Sequence, residues 1–279
     1  MKKPYLLALA GIILIIILFS FGSTVDKNRP VAPPSKVIAD FNILNAVDSS
    51  KKLLNPVQIS NLQKLEDSLN HTSGAGKIAF YSKLAAFWKD SARSFFPYAY
   101  YLIEEAKLEN SENKLTFAAH LMLDNLRMQQ DEEKAQWLTN QSVDLFNKAL
   151  ALNPSNDDLR VGLGSAYIYG AGRAGNPEAT MQGIKELMEV AQRDSNNLQA
   201  QLVLGVGGMI SGQFDKARDR FLKIVNKDPN NLEAIAYLAD TYATMGQKDE
   251  AIKWYNISKK LANNSHYSKE VDERIKQLK

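Results

Sequence analysis

The chain has 279 residues, of which 45% are hydrophobic and 23% are charged, and its formal net charge is +3. This length and composition can build a sizeable core in one or two domains. The basic residues are spread along the chain without a Lys/Arg block, which gives nucleic-acid binding little support. The absence of cysteine excludes disulfides, thiolate metal sites and thiol catalysis.

The chain begins with a pattern typical of membrane targeting. Two lysines precede the apolar run Tyr5–Phe21, which is seventeen residues long. That is just enough to span a bilayer and longer than the usual core of a signal peptide. We predict a retained transmembrane signal-anchor over residues 1–22, single-pass in the inner (cytoplasmic) membrane, with the remainder in the periplasm. The alternative is a cleaved signal peptide and a secreted soluble protein, because Ser20-Phe21-Gly22 resembles a small-x-small cleavage site.

The next part of the chain changes from a linker to helical patterns. Residues 23–55 contain a proline-rich stretch, Ser23–Ser35, which predicts an extended linker, and then a weakly amphipathic segment, Val37–Leu54, for which a helix and a loosely packed segment are the alternatives. Residues 56–153 show apolar residues three and four apart, which predicts divergent helical repeats, with hairpins at roughly 76–109 and 112–152. Nine aromatic residues lie between Phe80 and Tyr101. We expect them to fill the core, with a partner-binding patch as the alternative.

A 34-residue period organises the chain after residue 153. One copy contains Leu204-Gly205, Gly212, Ala217, Phe221, Ile224 and Pro229, and the corresponding residues 34 positions later are Leu238-Ala239, Gly246, Ala251, Tyr255, Ser258 and Asn263. An earlier copy containing Leu163-Gly164 matches when a seven-residue insertion after Tyr169 is allowed. Each copy holds two amphipathic runs, so each predicts a pair of helices.

The small residues in this period predict where the helices approach each other. Gly164 and Gly205 fall in the middle of helices, where glycine costs roughly 1 kcal/mol relative to alanine. Close helix packing would offset that cost, with Phe221 filling the space between successive units. Gly212 and Gly246 fall in the turns, where a positive φ is least costly for glycine.

This spacing of small and large residues resembles the tetratricopeptide repeat (TPR), a helix–turn–helix unit that stacks into a solenoid. The resemblance implies an all-α fold: an α-solenoid of about five TPR-type helical hairpins preceded by one N-terminal transmembrane helix. Residues 154–263 would form three clear units. Residues 264–279 would form a charged C-terminal capping helix, which solenoids need at their ends.

In proteins that this chain resembles, the first helix of each unit lines a concave groove that contacts peptides. Carried over by matching columns, the predicted peptide-binding groove comprises Val161, Ser165, Ile168, Tyr169, Leu202, Val206, Met209, Ile210, Tyr237, Asp240 and Thr244. Repeats that clamp chaperone carboxylates carry Lys, Asn and Arg in these columns, and that clamp is absent here. Each of these residues could alternatively pack against the neighbouring unit, but together they form a curved apolar groove, which favours partner binding.

No motif for catalysis or cofactor binding emerges from the sequence. Gly170–Gly175 reads G-x-G-x-x-G, but it follows a helical pattern rather than a strand, so we predict a long turn with Pro177 restarting the second helix. The three histidines lie in different elements without a second metal ligand nearby. We expect His120 to be partly buried and hydrogen-bonded. We therefore predict no catalytic residue, no cofactor, no metal and no small-molecule substrate.

The favoured function is a membrane-anchored scaffold for protein–protein interaction or complex assembly at the cell envelope, without catalysis. Its partners would be other proteins or peptide segments. One alternative is a chaperone-like assembly factor that holds peptide segments in a maturation pathway, similar to the TPR domains of cytochrome c biogenesis systems. Another is a nucleotide-dependent enzyme that uses Gly170–Gly175.

Overall fold

A computed structural model describes residues 40–279, so the predicted signal-anchor and the predicted linker Ser23–Ser35 lie outside the described residues. Within this range the chain forms helices and no strand. The thirteen α-helices are α1 Ile43–Lys51, α2 Pro56–Asn70, α3 Lys77–Ala86, α4 Phe95–Glu109, α5 Glu112–Met128, α6 Glu132–Leu152, α7 Asp157–Tyr167, α8 Pro177–Arg193, α9 Leu198–Ile210, α10 Phe214–Lys227, α11 Leu232–Thr244, α12 Lys248–Ala262 and α13 Ser265–Leu278. Among residues 40–279, no helix is both long and apolar enough to cross a bilayer.

Five antiparallel hairpins make up most of the solenoid. They are α3/α4, α5/α6, α7/α8, α9/α10 and α11/α12, and each packs on the next one along the chain. Helices α1 and α2 pack at the N-terminal end, and α13 packs against α12 at the other end. The hairpin α3/α4 spans residues 77–109, the hairpin α5/α6 spans residues 112–152, and the final helix spans residues 265–278.

Local sequence explains where the repeated first helices begin. Asn156, Asn197 and Asn231 are the N-cap residues of α7, α9 and α11, and each side chain accepts a hydrogen bond from a backbone N–H of the first turn. Such a cap stabilises a helix by about 1 kcal/mol relative to alanine. Because the three asparagines occupy the same place in successive units, the cap is part of the repeat.

The glycines take the positions that the period predicts. Gly212 and Gly246 both have φ +73° in the turns between paired helices. A Cβ added at Gly164 would lie 2.6 Å from the Leu187 side chain of the partner helix. At Gly205 an added Cβ would overlap the ring of Phe221, whose ring stacks on Tyr237 of the next unit with centroids 5.5 Å apart. Phe221 thus fills the space both within and between units.

The aromatic end of the solenoid is a filled core. None of the nine aromatic residues from Phe80 to Tyr101 is exposed, and Trp88 is completely buried. Phe41, Phe96 and Trp137 form a ring cluster that joins the segment before α1 to α4 and α6, with centroids 4.9–5.9 Å apart. Aromatic burial therefore ties the N-terminal helices to the repeats.

His120 of α5 is half-buried, as predicted, and its ring lies edge-on to Phe146 with centroids 5.0 Å apart. The predicted hydrogen bond is not observed, since no described residue bonds to the His120 ring nitrogens. Burial lowers the pKa of the imidazole, so His120 is neutral at physiological pH.

Candidate inner-surface interaction site

The first helices of successive units form one layer of the solenoid. α5 contacts α7, α7 contacts α9 and α9 contacts α11. Within residues 40–279 no comparable contacts join the second helices α6, α8, α10 and α12 to one another. The stack is therefore curved, with the first helices on the inside. We call the side of the stack formed by these first helices the inner surface.

The predicted groove residues all belong to the elements of the inner surface, but most of them are covered. Six are buried: Val161, Ser165, Ile168, Tyr169, Leu202 and Val206. Three are half-buried, Met209, Tyr237 and Asp240, and two are exposed, Ile210 and Thr244. The six buried side chains pack in the core, and the accessible part of the predicted strip lies towards α9 and α11.

The first helices differ in length. α9 and α11 have 13 residues each, whereas α5 has 17. After its 11 helical residues, α7 continues into a five-residue π-helical turn, Ile168–Gly172. The additional residues bring Arg127, Tyr169 and Arg173 to the inner surface.

These residues meet two side chains of α11 in what we call the Arg127 cluster: Arg127, Tyr169, Arg173, Glu233 and Tyr237. Arg127 forms an ion pair with Glu233, although the two residues are 106 positions apart in the sequence. The Arg127 guanidinium lies 4.8 Å from the centroid of the Tyr169 ring, and that of Arg173 lies 5.6 Å from it. The cluster therefore connects the first and fourth of these helices, α5 and α11, across α7 and α9.

The two tyrosines of the Arg127 cluster are held in the protonated form. The Tyr169 hydroxyl is buried and makes no hydrogen bond of standard geometry to a described residue, although the Tyr237 hydroxyl is near enough to influence it. Burial is the main cause that raises the pKa of Tyr169 and of Tyr237, and the Glu233 carboxylate raises both further. Both phenols can therefore donate hydrogen bonds at neutral pH.

The glycine-rich segment after Tyr169 forms the predicted turn. It follows α7, and the backbone bends at Gly170, where φ is −91° and ψ is −105°. A Cβ at Gly170 would overlap Thr139 of α6, so the bend requires a residue without a side chain. Asn176 then caps α8, which starts at Pro177. This helix–turn–helix context differs from the strand–turn–helix context of a dinucleotide site.

Asp240, one of the predicted groove residues, is engaged by the C-terminal helix. Its carboxylate accepts hydrogen bonds from the Arg274 guanidinium at 2.6 Å and from the Tyr255 hydroxyl at 2.5 Å. Arg274 belongs to α13, so Asp240 and Tyr255 hold this helix on the last hairpin. The negative charge of Asp240 on the inner surface is therefore neutralised by Arg274.

A pH-dependent contribution to stability follows from this network. Burial, followed by the hydrogen bond to Asp240, raises the pKa of Tyr255 to about 12. The unfolded chain releases this proton near its ordinary pKa of about 10, so the stabilisation is present below pH 10 and is lost as pH rises towards about 12. We expect Tyr255→Phe to flatten the fall in unfolding free energy between about pH 9 and pH 11.5 by roughly 1–2 kcal/mol. Chemical denaturation at several pH values measures this, and equal slopes for both chains would contradict it.

Sequence reasoning missed three members of the Arg127 cluster: Arg127, Arg173 and Glu233. Two sequence features could have indicated the Arg127 cluster: the longer apolar pattern of α5 and the seven-residue insertion after Tyr169. Among the described residues, no group of three or more His, Cys, Asp or Glu side chains could hold a metal ion.

The match to a family model lies in the C-terminal half of the chain. Residues 209–269 match the family model described as Tetratricopeptide repeat. Human Tetratricopeptide repeat protein 6 is 27% identical over 127 residues, which cover 46% of this chain and 24% of that protein. Lipopolysaccharide assembly protein B of Escherichia coli (strain K12) is 32% identical over 71 residues, or 25% of this chain and 18% of that protein. The matched part thus spans about a quarter or less of these relatives.

A solved structure extends the fold comparison to most of the chain. TTC0263, a thermophilic TPR protein of Thermus thermophilus, superposes with a TM-score of 0.53 at 16% identity, over 72% of this chain and 98% of that chain. This likeness concerns the fold. Together, the family match over residues 209–269 and the shared fold support an all-α solenoid built from tetratricopeptide-type repeats.

Proposed function

We propose that the chain is a membrane-anchored scaffold that binds other proteins or peptide segments through its inner surface during complex assembly at the cell envelope, without catalysis. The observation that carries this proposal is the curved layer of first helices, which leaves Ile210 and Thr244 exposed and Met209 half-exposed on α9 and α11. An exposed apolar side chain beside polar neighbours on a rigid helical surface suits peptide recognition.

The cell-envelope setting rests on two further points. The apolar run at the start of the sequence would tether the repeats to the membrane and raise their effective concentration there. The similarity to an Escherichia coli protein named Lipopolysaccharide assembly protein B is consistent with an assembly role, although it covers only 71 residues. We place the repeats on the periplasmic side of the inner membrane.

Site-specific photo-crosslinking in intact cells tests the interaction surface. We expect a photoreactive phenylalanine at Ile210 or Thr244 to crosslink to the same partner. Met181 of α8 is the matched control, because its side chain is 68% exposed but belongs to a second helix. Position 181 should give no such product. Equal crosslinking from position 181, or different products from the two inner positions, would refute binding through the inner surface.

Protease protection tests the location separately. In spheroplasts with an intact inner membrane, external protease should digest the repeats, because we place them outside that membrane. Complete protection that disappears only on lysis would refute the periplasmic location, without affecting the choice of binding surface.

A further inference from the structure

The Arg127 cluster contains more positive than negative charge. Its two guanidinium groups carry two positive charges, and Glu233 supplies one negative charge. Arg173 is exposed and forms no ion pair with any residue from 40 to 279; its guanidinium donates to the backbone carbonyl of Arg127 at 3.3 Å. Asp124, one turn before Arg127, adds a weaker attraction to Arg127 but no hydrogen bond. One guanidinium therefore lacks a carboxylate.

The tyrosines of the cluster add hydrogen-bond donors to the two guanidinium groups. The Tyr169 hydroxyl is buried without a partner of standard geometry, in a residue that is 2% exposed. The Tyr237 hydroxyl is close to it, so two phenols lie beside the two arginines. A carboxylate would accept from both a guanidinium and a phenol, because its two oxygens offer about four acceptor sites.

Glu233 occupies the place that such a carboxylate would take. It lies in the first turn of α11, and its side chain is 37% exposed while it pairs with Arg127. Exposed ion pairs contribute little to stability, so an incoming carboxylate could replace Glu233 without unfolding the helix. An incoming carboxylate can bind Arg127 in the same way as Glu233 does, since carboxylates match the planar fork of arginine.

We propose that the Arg127 cluster is a binding site for an acidic peptide segment, in which a partner's carboxylate displaces Glu233 from Arg127 and also pairs with Arg173. This inference rests on the proposed function, because it specifies the chemistry of the segment that the inner surface binds. It places recognition on the inner surface, where the end of α5, the turn after α7 and the first turns of α11 meet.

Fluorescence anisotropy with the purified full-length chain tests the proposal. The probe is a fluorescein-labelled octaglutamate with an amidated C-terminus, and amidated octaglutamine is the neutral control. Octaglutamine with a free C-terminus shows whether a terminal carboxylate is sufficient. The proposal requires octaglutamate to bind more tightly than amidated octaglutamine, and equal binding of these two probes, or no binding of octaglutamate, would overturn it.

Two substitutions should change the affinity for octaglutamate in opposite directions. Glu233→Gln should tighten octaglutamate binding by about three- to tenfold, because it removes the internal competitor. Arg173→Gln should weaken binding by about tenfold through the loss of one charge-assisted contact. A purely structural ion pair would instead make Glu233→Gln neutral or weakening, and that result would overturn the proposal.

Matched controls exclude a general charge effect. Glu250 also lies in the first turn of a helix and pairs with a neighbouring lysine, so Glu250→Gln should leave binding unchanged. Arg218 pairs with Asp215 and Asp219 on α10, and Arg218→Gln should likewise have no effect. If the control and cluster variants behave alike, the inference fails. Crosslinking from Ile210 would then still support the proposed function, so the two failures are distinguishable.

Discussion

Replacing Phe221 with alanine should lower the unfolding free energy by about 3–5 kcal/mol, because the substitution empties a completely buried site. The ring packs against the backbone at Gly205 in its own unit and stacks on Tyr237 in the next. Its loss therefore weakens both the hairpin and the contact between hairpins. In a solenoid, stability is a sum of such repeat and interface terms, so both losses count.

Chemical denaturation of the full-length chain, followed by far-ultraviolet circular dichroism, measures this effect. Phe117→Ala is the matched control, since it makes the same chemical change at a side chain that is 54% exposed. It should change stability by less than about 0.5 kcal/mol. Similar losses for the two variants would show that Phe221 does not join successive units.

The second large effect is expected from Ala217→Trp. Ala217 is completely buried where α10 meets α9, and a Cβ at Gly208 would already lie 3.3 Å from the Ala217 Cβ. An indole ring cannot fit there without separating the two helices. We expect a loss of more than about 3 kcal/mol, because overpacking of a rigid core forces backbone shifts.

Lys216→Trp is the control for the Ala217 substitution, because it places the same ring on the adjacent exposed position. Its melting temperature should stay within a few degrees of the unmodified chain, since isolated surface changes have small effects. If Ala217→Trp melted at the same temperature as Lys216→Trp, the small residue at position 217 would not be needed for helix packing.

Local features of the repeat were predicted well because they depend on residues close in sequence. Helix periodicity, the glycines at Gly212 and Gly246 and the turn after Tyr169 all reflect contacts within one hairpin. The aromatic end was also predicted as core. Which side chains of the predicted strip are accessible could not be read from the sequence, and Val161 and Leu202, both buried, illustrate why. A column in a repeat specifies which side of the helix a residue faces, but not what covers that side.

The order of small, large and turn residues in the sequence was sufficient to predict an all-α stack of hairpins and the close approach of the paired helices. Both features depend on the spacing of residues within one repeat of about 34 residues. Which side chains of the inner surface are buried, and which residues form the Arg127 cluster, was decided only by the tertiary structure. Arg127 and Glu233 meet across 106 residues, and their encounter depends on the curvature accumulated over several units and on the added length of α5 and α7. Curvature is a sum of small rotations between hairpins, and no single stretch of sequence encodes that sum.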